Sequence, residues 1–267
     1  MENPNSPNDA ASSGTFDLGK KVFFLYPPSV VKEDVVNRLL EEEFEVYMLR
    51  DHAAAKKLLK AYPDSIVFIN IDDGMSEAEW RKWIKELSED AVTAGVGVGI
   101  LSYNADEELG RYYLMELGTR CGFVRLKLGA EPSTRILLST LQANEAKGRR
   151  RYIRANCGDD KLSSVNIRHP GGTTSGSIRD ISVVGFSCRL DPDPFFPKNA
   201  HITDIQMKLR GVLLKTEGIV FGTRAADGGT FYVVLFTQRL DGVSRAKIRR
   251  YIQIALQSEI EEMARSV

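Results

Sequence analysis

The stretch GRRRYIR, residues 148–154, divides the sequence into two halves that differ in charge and in pattern. It holds four arginines, although the 267-residue chain has no formal net charge because 36 basic residues balance 36 acidic ones. Residues 1–147 carry 17 lysines and arginines against 24 aspartates and glutamates, and residues 148–267 carry 19 against 12. A change in the sign of the charge at a basic cluster indicates two domains with different roles.

Before the arginines, apolar runs alternate five times with amphipathic stretches. The runs that read as strands are KKVFFLY, FEVYML, SIVFINI, VGVGILSY and GFVRLKL. Strands that are apolar throughout and alternate with helices predict a parallel sheet covered by helices on both faces. We therefore predict a five-stranded, doubly wound α/β domain over residues 19–144. Residues 1–18 are rich in Asn, Ser and Pro, which predicts a disordered tail.

This order of strands and helices resembles the receiver domains of two-component signalling. The resemblance implies a phosphorylated aspartate at the end of the third strand and acidic metal ligands at the end of the first. Here the third strand ends at Asn70, Asp72 follows two positions late, and the first strand ends without a carboxylate. Ser102 and Lys127 do resemble the hydroxyl and the lysine of the receiver site. We therefore predict a degenerate receiver-like domain that holds no metal, is not phosphorylated and serves docking or regulation.

After the arginines, short β-rich runs replace this alternation. These runs are LSSVNI, SIRDISVVGFSCRL, ITDIQMKL, GVLLKTEGIVFGT and GTFYVVLFTQ. The stretch GGTTSGS, residues 171–177, lacks the lysine of a phosphate-binding loop and is interpreted as an ordinary loop. The chain ends in an amphipathic helical pattern, SRAKIRRYIQIALQSEIEEMARS. We predict an antiparallel β-barrel with a closing C-terminal helix over residues 145–267.

Enzyme and metal chemistry find no support in the residues. The three histidines and three cysteines have no metal-ligand spacing, and no nucleophile motif is present. No apolar run reaches 18 residues, and the N-terminus lacks the pattern of a signal peptide. We therefore expect a cytoplasmic protein that is not an enzyme and needs no cofactor.

Two motifs point instead to an anionic ligand. Arg150 and Arg154 are spaced RxxxR, and DISVVG has the form DxSxxG, beginning 26 residues after Arg154. In an extended strand Asp180 and Ser182 point to one face, and Gly185 permits close approach to the backbone. Arginines suit phosphate and the O6 and N7 atoms of guanine, whereas an aspartate accepts from the N1–H and N2–H₂ edge. Together the two motifs complement a guanine nucleotide.

This pair of motifs at the start of a small barrel resembles the PilZ domain, the bacterial sensor for cyclic di-GMP. The resemblance covers residues 148 to about 263 and implies that a mobile arginine segment wraps cyclic di-GMP against the barrel. The ligand-binding residues that it implies are Arg150, Arg154, Asp180, Ser182 and Gly185, together with the flanking arginines Arg149, Arg151 and Arg189. An arginine at position 149 is also associated with binding of a stacked pair of ligands.

The resulting prediction is a cyclic di-GMP receptor. Ligand binding would clamp the arginine segment onto the barrel and reorient the receiver-like domain, which then signals to a protein partner. One alternative is a PilZ module that serves protein interaction without a ligand, because a fold does not fix a function. Another is a nucleic-acid-binding protein that uses the basic half, although no RNA-binding aromatic motif is present.

Overall fold

The computed structural model describes residues 19–148, 150–158, 160–226, 229–237 and 240–266. The predicted tail, residues 1–18, lies outside these residues. Contacts divide the chain into two compact units, one reaching to Arg151 and including the end of the last helix from Glu259, the other Tyr152–Ser258. The domain limits 19–144 and 145–267 stay a prediction.

The first unit is built on a parallel sheet. Its strands are β1 Val22–Leu25, β2 Val46–Leu49, β3 Ile66–Asn70, β4 Gly97–Ser102 and β5 Phe123–Arg125. They are ordered β2-β1-β3-β4-β5, and all pairs are parallel. Every residue of β1 and β3 is buried, as expected for strands covered on both faces. This strand order is that of the flavodoxin-like doubly wound sheets, which confirms the predicted receiver-like fold.

Helices connect these strands. They are α1 Val36–Glu41, α2 His52–Ala61, α3 Glu77–Glu89, α4 Glu107–Arg111 and α5 Ala130–Ala143. Asp51 begins α2 by accepting from the N–H groups of Ala53 and Ala54, and Ser76 and Glu79 form a capping box at α3. A short 3₁₀ segment, Leu126–Leu128, replaces the end of the predicted fifth strand.

The second unit is an antiparallel barrel. Its strands are β6 Ala155–Asn156, β7 Ser163–His169, β8 Gly172–Ser182, β9 Gly185–Asp191, β10 His201–Leu209, β11 Val212–Ala226 and β12 Gly229–Phe236. Six of them follow the order β8-β7-β10-β11-β12-β9, and a further pairing of β9 with β8 closes the circle. The two-residue β6 adds to β8. The predicted barrel is therefore confirmed.

The stretch GGTTSGS is a strand and not the loop that its composition suggested. Strand β8 begins at Gly172 and pairs with both β7 and β9. A Cβ atom on Gly176 would lie 2.0 Å from the carbonyl oxygen of Arg189. Glycine at this position lets β8 and β9 approach each other closely, which is one reason for glycine inside a strand.

Helix α6, Gly242–Ser266, packs an apolar face that includes Ile248, Tyr251, Ile252 and Leu256 in the interior. The hydroxyl of Tyr251 lies 2.7 Å from the Ser163 hydroxyl at the start of β7. This attachment of the helix to the barrel agrees with the predicted closing helix. Among the residues that the structure describes, no helix is both long and apolar enough to cross a membrane.

The carboxylate of Asp160 connects α6 to the barrel through Tyr251. It accepts hydrogen bonds from Arg210 at 2.9 Å and from Ser163 and Tyr251 at 3.0 Å each. Burial acts to raise the pKa of Asp160, but these bonds and one from the N–H of Leu162 outweigh it and lower the pKa below its usual value. Burial also raises the pKa of Tyr251.

Candidate functional site

The DxSxxG motif forms the turn between β8 and β9. Ser182 pairs with Gly185, and its hydroxyl donates to the Gly185 carbonyl at 3.2 Å and accepts from the Val184 N–H at 3.4 Å. Ser182 is only 3% exposed. A Cβ atom on Gly185 would lie 2.3 Å from the carbonyl oxygen of Val234, so glycine lets β9 approach β12. In this structure Ser182 and Gly185 therefore shape the hairpin.

Asp180 lies on the outer side of the barrel, next to a β-bulge. Ile178 pairs with Cys188 and Asp180 pairs with Ser187, so Arg179 is an extra residue in β8. The Ser187 hydroxyl donates a hydrogen bond to the Asp180 carboxylate, whose side chain keeps 35% of its surface exposed. One oxygen of Asp180 is thus held by the sheet, while the side chain remains open to solvent.

Arg154 brings the RxxxR motif to this carboxylate. Its Nη1 atom lies 4.0 Å from Oδ1 of Asp180, which is too long for a direct hydrogen bond. The position follows from the backbone, because the next residues, Ala155 and Asn156, pair with Ile181 and Asp180 of β8. With 54% of the Arg154 side chain exposed, its guanidinium and the carboxylate can both reach a ligand.

The arginine segment is anchored at both ends. On one side, the Lys20 N–H donates to the Ala146 carbonyl at 2.9 Å, and the Lys147 ammonium lies 4.9 Å over the ring of Phe44. On the other side, strand pairing begins at Ala155. Only residues 148–154 lie between these anchors, and seven extended residues reach about 25 Å at most.

The remaining predicted arginines occupy different places. Arg150 and Arg151 are exposed within the anchored segment, and Arg149 lies outside the described residues. Arg189 is exposed on β9, two residues after Ser187 and therefore on the same face about 7 Å further along the strand. The structure thus brings Arg154, Asp180 and Arg189 to one face of the barrel.

Strand β12 is joined to the loop after β9 by a buried tyrosine. This residue, Tyr232, is 2% exposed, and its hydroxyl donates a hydrogen bond to Asp193 in that loop. Burial, followed by the hydrogen bond and charge of Asp193, raises the pKa of Tyr232 to about 12. Tyr232 therefore stays a neutral donor that fixes the strand to the loop.

Sequence reasoning missed Ser187, the hydroxyl that orients Asp180. A two-residue turn at Val183 and Val184 places Ser182 opposite Gly185, and hence Asp180 opposite Ser187. The sequence held that information, but two valines are not a typical turn signal. In the sequence, SIRDISVVGFSCRL is a continuous β-rich run, so the turn and the resulting pairing are not apparent from it.

Polar groups at the carboxyl edge of the parallel sheet in the first unit bond to one another. The Ser102 hydroxyl donates to Oδ1 of Asp72 at 2.7 Å, and the Tyr103 N–H donates to Oδ2 at 2.6 Å. Asn70 donates to the Tyr26 carbonyl at 2.9 Å. Lys127 is exposed. Within the described ranges, no group of three or more potential ligating side chains could hold a metal ion.

The second unit is a small closed barrel that carries an arginine-rich segment beside a DxSxxG hairpin. Residues 148–253 match the family model of the PilZ domain. Residues 148–253 are therefore identified as a PilZ domain, as the sequence motifs predicted, and they follow the receiver-like unit.

Solved structures with similarity to the chain include the PilZ domain of YcgR from Escherichia coli with c-di-GMP. That domain is 16% identical, with a TM-score of 0.38 over 45% of this chain and 99% of that one. The MrkH–c-di-GMP complex of K. pneumonia is 21% identical, with a TM-score of 0.33 over 46% of this chain and 57% of that one. The Mn²⁺-bound response regulator Rcp1 is 14% identical, with a TM-score of 0.38 over 46% and 92%. No curated protein matches the chain.

Proposed function

We propose that the protein is a receptor for cyclic di-GMP and acts as a binding module without catalytic activity. The observation that carries the proposal is the meeting of Arg154 and Asp180 on the outer face of the barrel, with 54% and 35% of their side chains exposed. They come from separate motifs and place a fork of donors beside a carboxylate acceptor. Guanine needs both, because its edges present acceptors on one side and donors on the other. The PilZ family match supports the same ligand.

Each predicted residue has a role in this proposal. Arg150 and Arg154 bind phosphate or the O6 and N7 atoms of guanine, and Asp180 accepts from N1–H and N2–H₂. Ser182 and Gly185 contribute through the shape and backbone of the hairpin that presents Asp180. The flanking arginines Arg149, Arg151 and Arg189 supplement the positive charge around the phosphates.

The anchored arginine segment supplies the mechanism. Like charges within residues 148–154 repel one another, and a ligand with two phosphates relieves that repulsion when the arginines close over it. Because the segment crosses the boundary between the two units at Arg151 and leads directly into β6, closing it changes the constraint between the two units. A protein partner then reads the change through the receiver-like unit, provided that ligand favours one arrangement over the other.

Isothermal titration with cyclic di-GMP tests the assignment of the site. Arg150→Ala and Arg154→Ala each remove a charge-assisted contact and should weaken binding by about 10- to 100-fold. Arg168→Ala is the matched control, because this exposed arginine of β7 pairs with Asp204 at 3.8 Å and should not affect affinity. Unchanged binding by both site variants would refute the assignment.

Competition experiments separate the proposal from its alternatives. Unlabelled cyclic di-GMP should displace labelled cyclic di-GMP from the protein, whereas GTP and single-stranded DNA at the same concentration should not. Displacement by single-stranded DNA would favour the nucleic-acid-binding alternative. A folded wild-type protein that binds no cyclic di-GMP would favour the ligand-independent interaction module.

A further inference from the structure

A row of side chains crosses the outer face of the barrel near Asp180. Arg224 of β11 lies directly opposite Phe231 of β12, and Phe231 lies directly opposite Arg189 of β9. Directly opposed residues of antiparallel strands point to the same face. Tyr232 and Val234 of the same strand are 2% and 0% exposed and therefore point into the core. Since successive side chains of a strand alternate between its two faces, Phe231 points outward. Two strand spacings make this row about 10 Å wide, which is close to the size of a nucleotide.

A third arginine lies over the ring in the centre of the row. The guanidinium carbon of Arg179 is 4.9 Å from the centroid of the Phe231 ring, within the range of a cation–π contact. Arg179 reaches this position because it is the extra residue of the bulge in β8. Phe231 is partly exposed, and Arg179, Arg189 and Arg224 are all exposed. The Phe231 ring therefore has one guanidinium over it and an exposed arginine on the strand at each side.

The row continues the surface that holds Asp180. Ser187, which orients Asp180, precedes Arg189 by two residues, so the row begins about 7 Å from the Asp180 contact. Arg179 is also the residue before Asp180 in the chain. A ligand that places one guanine against Asp180 thus has its remaining half within reach of Phe231.

We propose that Phe231 and its three arginines form a second subsite, for the other purine–phosphate half of the ligand. Phe231 and Arg179 provide flat faces on which a purine stacks, and Arg189 and Arg224 provide donors for phosphate. This inference rests on the proposed cyclic di-GMP site and extends it. It assigns ligand contacts to Arg179, Arg224 and Phe231, which neither sequence motif includes.

Two substitutions of Phe231 test the subsite by titration with cyclic di-GMP. Phe231→Leu keeps an apolar side chain but removes the stacking face, so affinity should fall by about 10-fold or more. Phe231→Trp keeps the face and should retain binding. Its indole also serves as a reporter, because the two native tryptophans, Trp80 and Trp83, are buried in the first unit. Stacking of a guanine should quench the emission of the new tryptophan.

The controls separate this subsite from the site as a whole. Phe221→Leu changes another outward phenylalanine, 59% exposed on the adjacent strand β11, and should leave affinity unchanged. Arg154→Ala reports on the proposed function, and Arg179→Ala gives a second test of the subsite. Thermal unfolding of each variant confirms that the barrel is folded.

The outcomes are distinct. Weakened binding by Phe231→Leu and Arg179→Ala, together with a quenched tryptophan and an unaffected Phe221→Leu, supports the subsite. If Arg154→Ala weakens binding while both subsite variants bind like wild type, the subsite is wrong and the proposed function stands. Absence of cyclic di-GMP binding by the wild-type protein overturns both.

Discussion

Asp72 in the first unit and Asp180 in the second each accept a hydrogen bond from a serine but differ in the contacts of their second oxygen. Each accepts a hydrogen bond from a serine of a neighbouring strand, Ser102 in one case and Ser187 in the other. The second oxygen of Asp72 takes the Tyr103 N–H at 2.6 Å, whereas Oδ1 of Asp180 has Arg154 at 4.0 Å. A carboxylate is therefore available to a ligand when the fold leaves one of its oxygens without a hydrogen bond.

The largest expected effect is the loss of ligand affinity when the Asp180 carboxylate on the barrel is removed. Asp180→Ala removes the acceptor for the donor edge of guanine and should weaken cyclic di-GMP binding by about 10- to 100-fold. The matched change Asp72→Ala should leave the affinity unchanged, because the bonds of Asp72 are internal to the first unit. Isothermal titration of both variants measures the difference, and equal losses of affinity would show that the two aspartates do not differ as the structure implies.

The second prediction concerns the stability of the first unit, which the loss of Asp72 should lower. Asp72→Ala leaves the Ser102 hydroxyl, which is 0% exposed, without its acceptor, and should lower the free energy of unfolding of the first unit by about 1–3 kcal/mol. Urea unfolding followed by tryptophan emission reports on this unit, since both tryptophans lie in α3.

Asp64→Ala is the control for that measurement. Asp64 is 83% exposed and pairs with Lys20 at 3.3 Å, so its loss should cost less than about 1 kcal/mol. A stability loss for Asp64→Ala as large as that for Asp72→Ala would contradict the view that the hydrogen bonds of Asp72 stabilise the sheet edge.

A third, smaller effect concerns pH and the attachment of α6. The lowered pKa of Asp160 in the folded state means that its bonds stabilise the protein above the usual aspartate pKa near 4 and are lost as pH falls through the folded pKa. Asp160→Asn should therefore cost about 1–2 kcal/mol at pH 7 and progressively less below pH 4. Urea unfolding followed by circular dichroism at both pH values measures the change. A loss of the same size at both would argue against the charged form of Asp160 as the cause.

The smallest expected effect is the response of the first unit to Mg²⁺. Because both oxygens of Asp72 already accept hydrogen bonds, added Mg²⁺ should change neither the unfolding midpoint nor the emission of Trp80. The indole of Trp80 donates to the Asp73 carbonyl at 3.0 Å, so it would report a metal at this edge. A saturable change in emission on titration would show that a metal site persists there.

Local patterns predicted the fold and named residues that lie together on the barrel. Alternation of apolar runs and helices was enough for the parallel sheet, because strands buried on both faces are continuously apolar. The motif positions indicated Arg154 and Asp180, which lie 4.0 Å apart in the structure, and their binding of a guanine stays a prediction. The start of β8 at Gly172 was missed because glycine and serine indicate turns locally, while the close approach of β9 is a tertiary requirement.

Other features depended on strand register, which the sequence does not show directly. Ser187 and Phe231 enter the surface through cross-strand pairing with Asp180 and Arg189. That pairing follows from a turn of two valines and from closure of the barrel, and neither has a strong local signal. The hydroxyl of Ser182 bonds within the hairpin turn, and contact of this residue with a ligand stays a prediction.

The bulge in β8 has a consequence for how this surface can change over evolutionary time. Arg179 stands between Ile178 and Asp180, and both Ile178 and Ile181 are fully buried. Deleting the single codon for Arg179 would leave a strand that alternates regularly, with the same isoleucines inside and Asp180 outside. A lineage could therefore gain or lose this arginine by a one-residue insertion or deletion while the core of the barrel keeps its packing.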